Sequence, residues 1–427
     1  MQTQLAPEYK DTPDGLAAEA ILRKCVHCGF CTATCPTYQL LGDELDGPRG
    51  RIYLMKQVLE GEVPTRKTQL HLDRCLTCRN CETTCPSGVE YGHLVDIGRR
   101  LVDAKVPRPA REQALRWALK EGLPSPWFAP AMRLGQLVRP LLPATLRAKV
   151  PRRQDAGERP TRTHARRMLM LSGCVQPAMM PNINHATERV LDAAGIQALV
   201  APSAGCCGAV KFHLNDQDGG KQQMRANIDA WWPFIDGTRT PVEAIVMNAS
   251  GCGVTVKEYG HILRDDLLYA DKAARVSALT RDLSELLPEL AQLLSDRVDT
   301  TRAAAAPGGA AARLVFHPPC TLQHGQQLCG GVEQHLRALG FDLQLPANEA
   351  HLCCGSAGTY SVLNPALAQQ LRDRKLGHLE ASAPTVIVSA NIGCITHLQS
   401  GTDTPVRHWV EVLDQALEQG PGQTPVR

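Results

Sequence analysis

Apolar positions in the first hundred residues recur at helical spacing. Ile52, Met55, Val58 and Leu59 fall on one helical face, and Val89 to Val102 reads the same way. Gly15 to Lys24 predicts a further short helix, and Gly47-Pro48-Arg49-Gly50-Arg51 predicts a turn. From residue 167 the pattern changes. Short apolar runs at Met168–Leu171, Ile196–Ala201, Val242–Asn248, Arg313–Phe316, Phe341–Leu345 and Thr385–Ala390 alternate with helical stretches. The helical stretches include Ala186–Ala194, Gly220–Asp229, Val332–Leu339 and Ala366–Leu379. Such alternation predicts β-α-β units and parallel sheets.

The later part of the chain repeats itself. Cys174, Cys206, Cys207 and Cys252 are matched by Cys320, Cys353, Cys354 and Cys394 at offsets of 146, 147, 147 and 142. A near-constant offset over four matched positions signals duplication. The predicted organisation is a helical module at 1–100, a basic, proline-rich connector at 101–166, and two α/β halves at 167–302 and 313–427. An Ala/Gly tract at 303–312 reads as the linker between the halves. The fold class is therefore α+β and multidomain.

The helical module carries the most specific signal. Cys25, Cys28, Cys31 and Cys35 precede Pro36 in the pattern C-x-x-C-x-x-C-x-x-x-C-P. Cys75, Cys78, Cys81 and Cys85 precede Pro86 in the same pattern, fifty residues on. This is the bacterial ferredoxin spacing for [4Fe–4S] clusters, in which the fourth cysteine serves the other cluster. Three thiolates on a tight loop wrap one cluster. The fourth leaves it in an extended segment, because the residue before proline avoids the helical region. The expected ligand sets are Cys25, Cys28, Cys31 and Cys85 for one cluster, and Cys75, Cys78, Cys81 and Cys35 for the other. Zinc sites use four Cys/His ligands from paired motifs, and a triplet plus a C-P, twice over, exceeds that need.

Other residues leave two readings open. Arg49, Arg51 and Arg74 either compensate anionic clusters or are solvated. The eight cysteines of the two halves follow strand ends and are expected at the carboxyl edge of a sheet, where such folds bind ligands. They form a further iron–sulfur or redox-thiol site, or they are small buried hydrophobes. In both Cys-Cys-Gly elements the glycine would let the backbone approach an inorganic core. Cys329 has no counterpart and reads as structural.

Composition excludes several classes. Seventeen cysteines in 427 residues with no secretory-type N-terminus point to metal ligation in a reducing compartment rather than a disulfide scaffold. Nothing approaches the ~18 consecutive apolar residues of a spanning helix, so a cytoplasmic protein, soluble or peripheral on the inner membrane, is expected. Between Gly122 and Gln154 there are six Lys/Arg and no acidic residue. A helix packed on its own domains is preferred there to a membrane-binding one, because Pro140 and Pro143 interrupt it. No nucleic-acid docking motif is present, and aromatics are only 4%, which leaves a cluster-based redox sensor as a remote reading. No G-x-G-x-x-G or P-loop fingerprint is present, so a flavin would sit on another polypeptide.

The combination resembles a family of electron-transfer subunits with two [4Fe–4S] clusters followed by cysteine-rich CCG domains. Within it, the chain is most similar to the iron–sulfur subunits of bacterial glycolate oxidases. The likeness is carried by CVHCGFCTATCPTYQLLGDELDGPRGRIYL (25–54), HLDRCLTCRNCETTCPSGV (71–89), NIDAWWP (227–233), ASGCG (249–253), HLCCGSAGTY (351–360), ANIGC (390–394) and VRHW (406–409). The resemblance implies a non-flavin subunit that takes electrons from a glycolate-oxidising, FAD-containing partner and passes them to a quinone-type membrane acceptor. Equivalent subunits of glycerol-3-phosphate or lactate dehydrogenase complexes are the alternative. It also implies that the eight hairpin cysteines are ligands. The fuller CCG pattern ends in C-x-x-C, whereas this chain has Cys252-Gly-Val-Thr255 and Cys394-Ile-Thr-His397. The expectation is two clusters, with the CCG halves the place for any third.

Overall fold

A computed structural model describes residues 1–143, 147, 150–302 and 312–417. Most of the 303–312 linker and the last ten residues lie outside the described residues. The first hundred residues form helices only. The helix Pro13–Lys24 starts on a proline, and the Thr12 hydroxyl caps it by accepting the Gly15 N–H at 3.0 Å. Arg66–Asp73 opens with a capping box between Thr65 and Thr68. The helix Pro48–Leu59 begins four residues before the apolar pattern does, so Pro48 to Arg51 are its first turn rather than a free turn. Proline at the first position costs no hydrogen bond, which is why the start is placed there. Met55, Val58 and Leu59 pack with Leu22, Leu72, Leu94 and Val95 in the module's own core.

Helices Ala110–Gly122 and Phe128–Leu137 form the connector. One side of the connector docks on its own chain: Gln136 donates to the Ala178 carbonyl at 3.3 Å. The other side is not covered. Trp127 is 78% exposed, Leu137 79% and Leu141 86%. The expected packed helix is therefore only half packed.

Two four-stranded parallel sheets follow. Strands β1 (Arg166–Met170), β2 (Ile196–Leu199), β3 (Ile245–Met247) and β4 (Thr280–Asp282) are ordered β2-β1-β3-β4. Strands β5 (Arg313–His317), β6 (Asp342–Gln344), β7 (Val386–Ser389) and β8 (Val406–His408) repeat that order as β6-β5-β7-β8. Every pairing between named strands is parallel. The duplication read from the cysteines is thus a duplication of topology.

The two halves share one core. Met168, Val190 and Leu287 from the first join Phe316, Val388 and Trp409 from the second in a single buried cluster. The helix Pro181–Ala193 is pinned to Trp409–Ala416 by Arg189, whose guanidinium meets both oxygens of Asp414. The far face of the first sheet has a separate core around Met224, Ile228 and Trp231. No helix among the described residues is long and apolar enough to cross a membrane.

Candidate metal and electron-transfer site

The two hairpins share a local backbone. Each triplet of cysteines follows a helix end and winds through two residues at positive φ. These are His27 and Gly29 in the first hairpin, and Thr77 and Arg79 at the same positions fifty residues on. Left-handed residues reverse the chain tightly. They are costly for Thr77 and Arg79, so the surroundings must hold them there. Cys35 leaves the first loop in extended conformation, φ −81° and ψ 115°, as a residue before proline must.

These turns gather the thiols into two groups. Cys25, Cys28, Cys31 and Cys85, with Cys81 at the edge shared with the second group, line one half-open cavity walled by Val26, Phe30, Ile52, Val89 and Tyr91, with about 430 Å³ of empty space that opens to solvent. Burial pushes the Cys31 thiol up to about 11, and the neighbouring Cys25, Cys85 and Cys28 push in the same direction. Burial likewise raises the Cys81 thiol, and the nearby Cys78, Cys75, Glu82 and Cys35 push it in the same direction. Burial and neighbouring sulfurs thus hold Cys31, Cys78 and Cys81 against deprotonation. A bound cationic metal core would reverse that by taking its cysteine ligands as thiolates. The donor sets and their crowding fit an iron–sulfur cluster in each place, and the first place has a cavity for it.

The second group is the more deeply held. The Arg99 guanidinium donates to the carbonyls of Leu72 and Cys75 and to the Thr77 hydroxyl. The Thr77 N–H donates to the Cys75 sulfur at 3.4 Å. Asn80 ties the second hairpin to the first through the Thr34 carbonyl at 3.1 Å. Arg51, read as either compensating or solvated, is buried. It donates to Thr37 at 3.1 Å and pairs with Asp46 at 3.4 Å. The Thr37 hydroxyl is itself 3.3 Å from the Cys35 sulfur. Arg74 and His71 complete the ring around Asp46 at 2.8 Å and 3.1 Å. Arg49 differs: it is partly exposed and pairs with Glu44.

The eight cysteines of the halves also collect, at the carboxyl ends of the sheets. Cys174 and Cys252 line a pocket between the ends of β1 and β3, where the strand order reverses. Hydrogen bonds from Cys174 and Cys207, then the Gly208 and Val210 N–H groups, favour Cys206 as the thiolate of the first set. In the second half the Cys320 and Cys353 sulfurs are 3.8 Å apart. Cys353, Cys354 and Cys394 continue as a buried row. Leu76 and Cys78 of the second hairpin pack against Cys320, Cys353 and Tyr360, so this row begins beside the second hairpin group.

Two expectations need correction. The glycines of the Cys-Cys-Gly elements do not face an inorganic core. Gly208 and Gly355 have φ of +93° and +88°, and a side chain there would meet the carbonyl oxygens of Gly220 at 2.8 Å and Ala368 at 2.5 Å. They let a helix backbone come close. Cys329, read as structural, is exposed, with its thiol 3.4 Å from the Gln323 carbonyl.

Sequence reading missed Arg99, Asp46 and His317. Arg99 sits within an amphipathic helix pattern and carries no motif. His317 had a signal: it stands in His-Pro-Pro-Cys320 where the first repeat has Leu171-Ser-Gly-Cys174.

Comparison with known proteins agrees with this geometry. Residues 21–89 match the model of the 4Fe-4S dicluster domain, and 168–257 and 314–399 each match the cysteine-rich domain. The chain is 56% identical over 421 residues to the glycolate oxidase iron-sulfur subunit of Escherichia coli (strain K12), covering 98% of this chain and 100% of that one. It is 30% identical over 430 residues to the probable glycolate oxidase iron-sulfur subunit of Bacillus subtilis (strain 168), covering 94% and 92%. Lactate utilization protein A of Geobacillus thermodenitrificans (strain NG80-2) matches 56% of this chain at 29% identity. With two hairpins of like cysteine spacing and two like cysteine-rich halves behind them, the chain belongs to the family of glycolate oxidase iron–sulfur subunits.

Proposed function

We propose that this chain is the electron-transfer subunit of a glycolate-oxidising complex. It takes electrons from an FAD-containing partner subunit and delivers them to a quinone-type acceptor at the membrane. The observation that supports the reading is the gathering of the hairpin thiols, with Cys25, Cys28, Cys31 and Cys85 around one cavity and Cys78, Cys75 and Cys35 close to Cys81. Cys25, Cys28, Cys31 and Cys85 hold one [4Fe–4S] cluster, and Cys75, Cys78, Cys81 and Cys35 hold the other. A bound [4Fe–4S] cluster exchanges single electrons, so a pair of them divides the two electrons of a reduced flavin.

The residues around the sites have distinct tasks. Val26 and Phe30 present an apolar rim beside the exposed Cys28, where a partner can approach the first site closely. Arg99, Asn80 and Arg51 keep the second site rigid and dry. Uncovered Trp127, Leu137 and Leu141 lie in the same connector as Arg133, Arg139 and other basic residues with no acidic neighbours. That combination suits the surface of an anionic bilayer, so we place the complex peripherally on the cytoplasmic face of the inner membrane.

The test is anaerobic purification with and without the flavoprotein. The expected result is about eight irons per chain, about half as many in Cys28→Ser and Cys78→Ser, and glycolate-to-quinone turnover only in the assembled complex. The same complex is expected to float with anionic but not with neutral vesicles. Glycolate-dependent dye reduction by this chain alone, or full turnover by iron-free material, would overturn the proposal. If lactate or glycerol 3-phosphate replaced glycolate in a substrate screen of the complex, the specific assignment would fall.

A further inference from the structure

The second half contains a cluster of donors that the first lacks. His317 is the last residue of β5, and its backbone carbonyl accepts the Ser389 hydroxyl at 3.0 Å. Its ring is buried, at 1% exposure, and neither Nδ1 nor Nε2 has a hydrogen-bond partner. An imidazole left in this state has given up its water without gaining a partner for either nitrogen. The ring is not surrounded by hydrocarbon alone. One donor atom from each of His317, Cys354 and Cys394 lies within 4.8 Å of the other two, and all three residues are buried.

We propose that His317, Cys354 and Cys394 form a binding site for a single divalent transition-metal ion, zinc by donor type. It does not depend on the hairpin cysteines.

Three arguments support it. The first is donor chemistry. Mixed thiolate and imidazole sets are those of tetrahedral zinc, with Zn–S near 2.3 Å and Zn–N near 2.0 Å. Such an ion holds its ligands roughly 3.5–3.8 Å apart, so from separations of at most 4.8 Å the side chains need close by no more than about 1.3 Å. The second is charge. Two thiolates and a neutral imidazole around a dication sum to zero, which makes the occupied site tolerable in a buried place. Binding releases the two thiol protons, the imidazole gives a lone pair, and no electron is transferred. Three ligands leave the fourth position to a water. The third is the comparison between the repeats. The first half keeps its four cysteines but has Leu171 at the position of His317. The histidine is therefore not part of what the two tetrads share. Backbone geometry supports the ligands: Cys354 precedes Gly355, which is locked at positive φ against a helix, and Cys394 lies in the first turn of the helix Ile392–Gln399.

The experiment is metal analysis of the full-length chain, washed with a chelator to remove loosely held ions and then exposed to zinc chloride. The expected result is about one zinc per chain. X-ray absorption at the zinc edge should show two sulfurs and one imidazole nitrogen. His317→Leu and Cys354→Ser should each retain less than a tenth of that zinc with iron content unchanged, while Cys329→Ser retains all of it. No zinc in the parent chain, an all-sulfur zinc shell, or full zinc retention by His317→Leu would each overturn the proposal. So would iron that falls with His317→Leu, since the site would then belong to a cluster. The absorption measurement on the parent chain decides the matter even if both variants misfold. Loss of hairpin iron with zinc retained would tell against the electron-transfer reading alone.

Discussion

Asp46 is met from three sides by Arg51, Arg74 and His71, and it is fully buried. Its backbone carbonyl also accepts the Thr37 hydroxyl at 2.8 Å, one contact away from the Cys35 sulfur. Arg51 is equally buried, so the carboxylate is what makes its charge tolerable there. Breaking one side of such a pair costs about 3–5 kcal/mol, because the remaining charge has no water to turn to. Asp46→Asn is therefore expected to destabilise the helical module by that amount. The shift is read from chemical denaturation followed at the cluster absorbance. None of this was visible in the sequence. A pattern of charged residues near a hairpin is equally consistent with solvation, and only packing around Arg51 removes the solvent.

Among the elements, the long helices and the strands rich in Leu, Val and Ile were legible, because periodicity reports which face is buried. Two strands were not. β4 is Thr-Arg-Asp and β8 is Val-Arg-His, three residues each with an arginine in the middle. They are sheet edges set by the register of β3 and β7, and they have too few residues to show a period. The Cys-Cys-Gly turns were legible as special but not as to reason. The glycines hold the turn against a helix, so the expected loss on substitution is structural. Gly355→Ala adds a left-handed strain of about 1–3 kcal/mol to a contact of 2.5 Å with the Ala368 carbonyl. It should lower the unfolding temperature of the second half markedly. Gly330→Ala, at φ +80° with open space around it, should lower it much less. Equal effects would mean that the helix contact does not matter.

At the scale of the whole molecule, the helical module is clamped to the first half by Glu258, which takes Arg79 of the second hairpin on one side and His93 at 3.4 Å on the other. Burial pulls the Glu258 carboxyl up, but the His93 hydrogen bond and the charges of Arg79 and His93 outweigh it and hold the group at about 2. A depressed carboxylate contributes fully above its ordinary value of 4.5, and the contribution is lost as the pH falls towards 2. Burial pulls His93 down, but the Glu258 bond and charge win, and the ring stays above its ordinary 6.5 against the opposing charge of Arg79. A raised histidine contributes fully below 6.5 and is lost as the pH rises through its folded value. His261 stacks on His93 at 3.9 Å. It is held down to about 4, by burial first and then by the His93 and Arg264 charges, so it stays neutral across this window. Hydrogen exchange across Ser250–Lys257 and Tyr91–Lys105 should therefore be slowest between about pH 4.5 and 6.5, after correction for the intrinsic rate. Glu258→Gln should abolish the acid limb. A protection profile flat with pH would refute the clamp.

The sequence by itself determined what covalent spacing and local periodicity can carry. Thiols with two residues between them must share a turn, a cysteine before proline must leave it extended, and a repeated cysteine frame implies a repeated fold. Tertiary structure decided what depends on residues far apart in the chain: the buried ring around Asp46, the place of the second hairpin beside Cys320 and Cys353, and the meeting of His317 with Cys354 and Cys394. Those outcomes rest on which surfaces exclude water from one another, and exclusion is a property of the packed whole that no local pattern records.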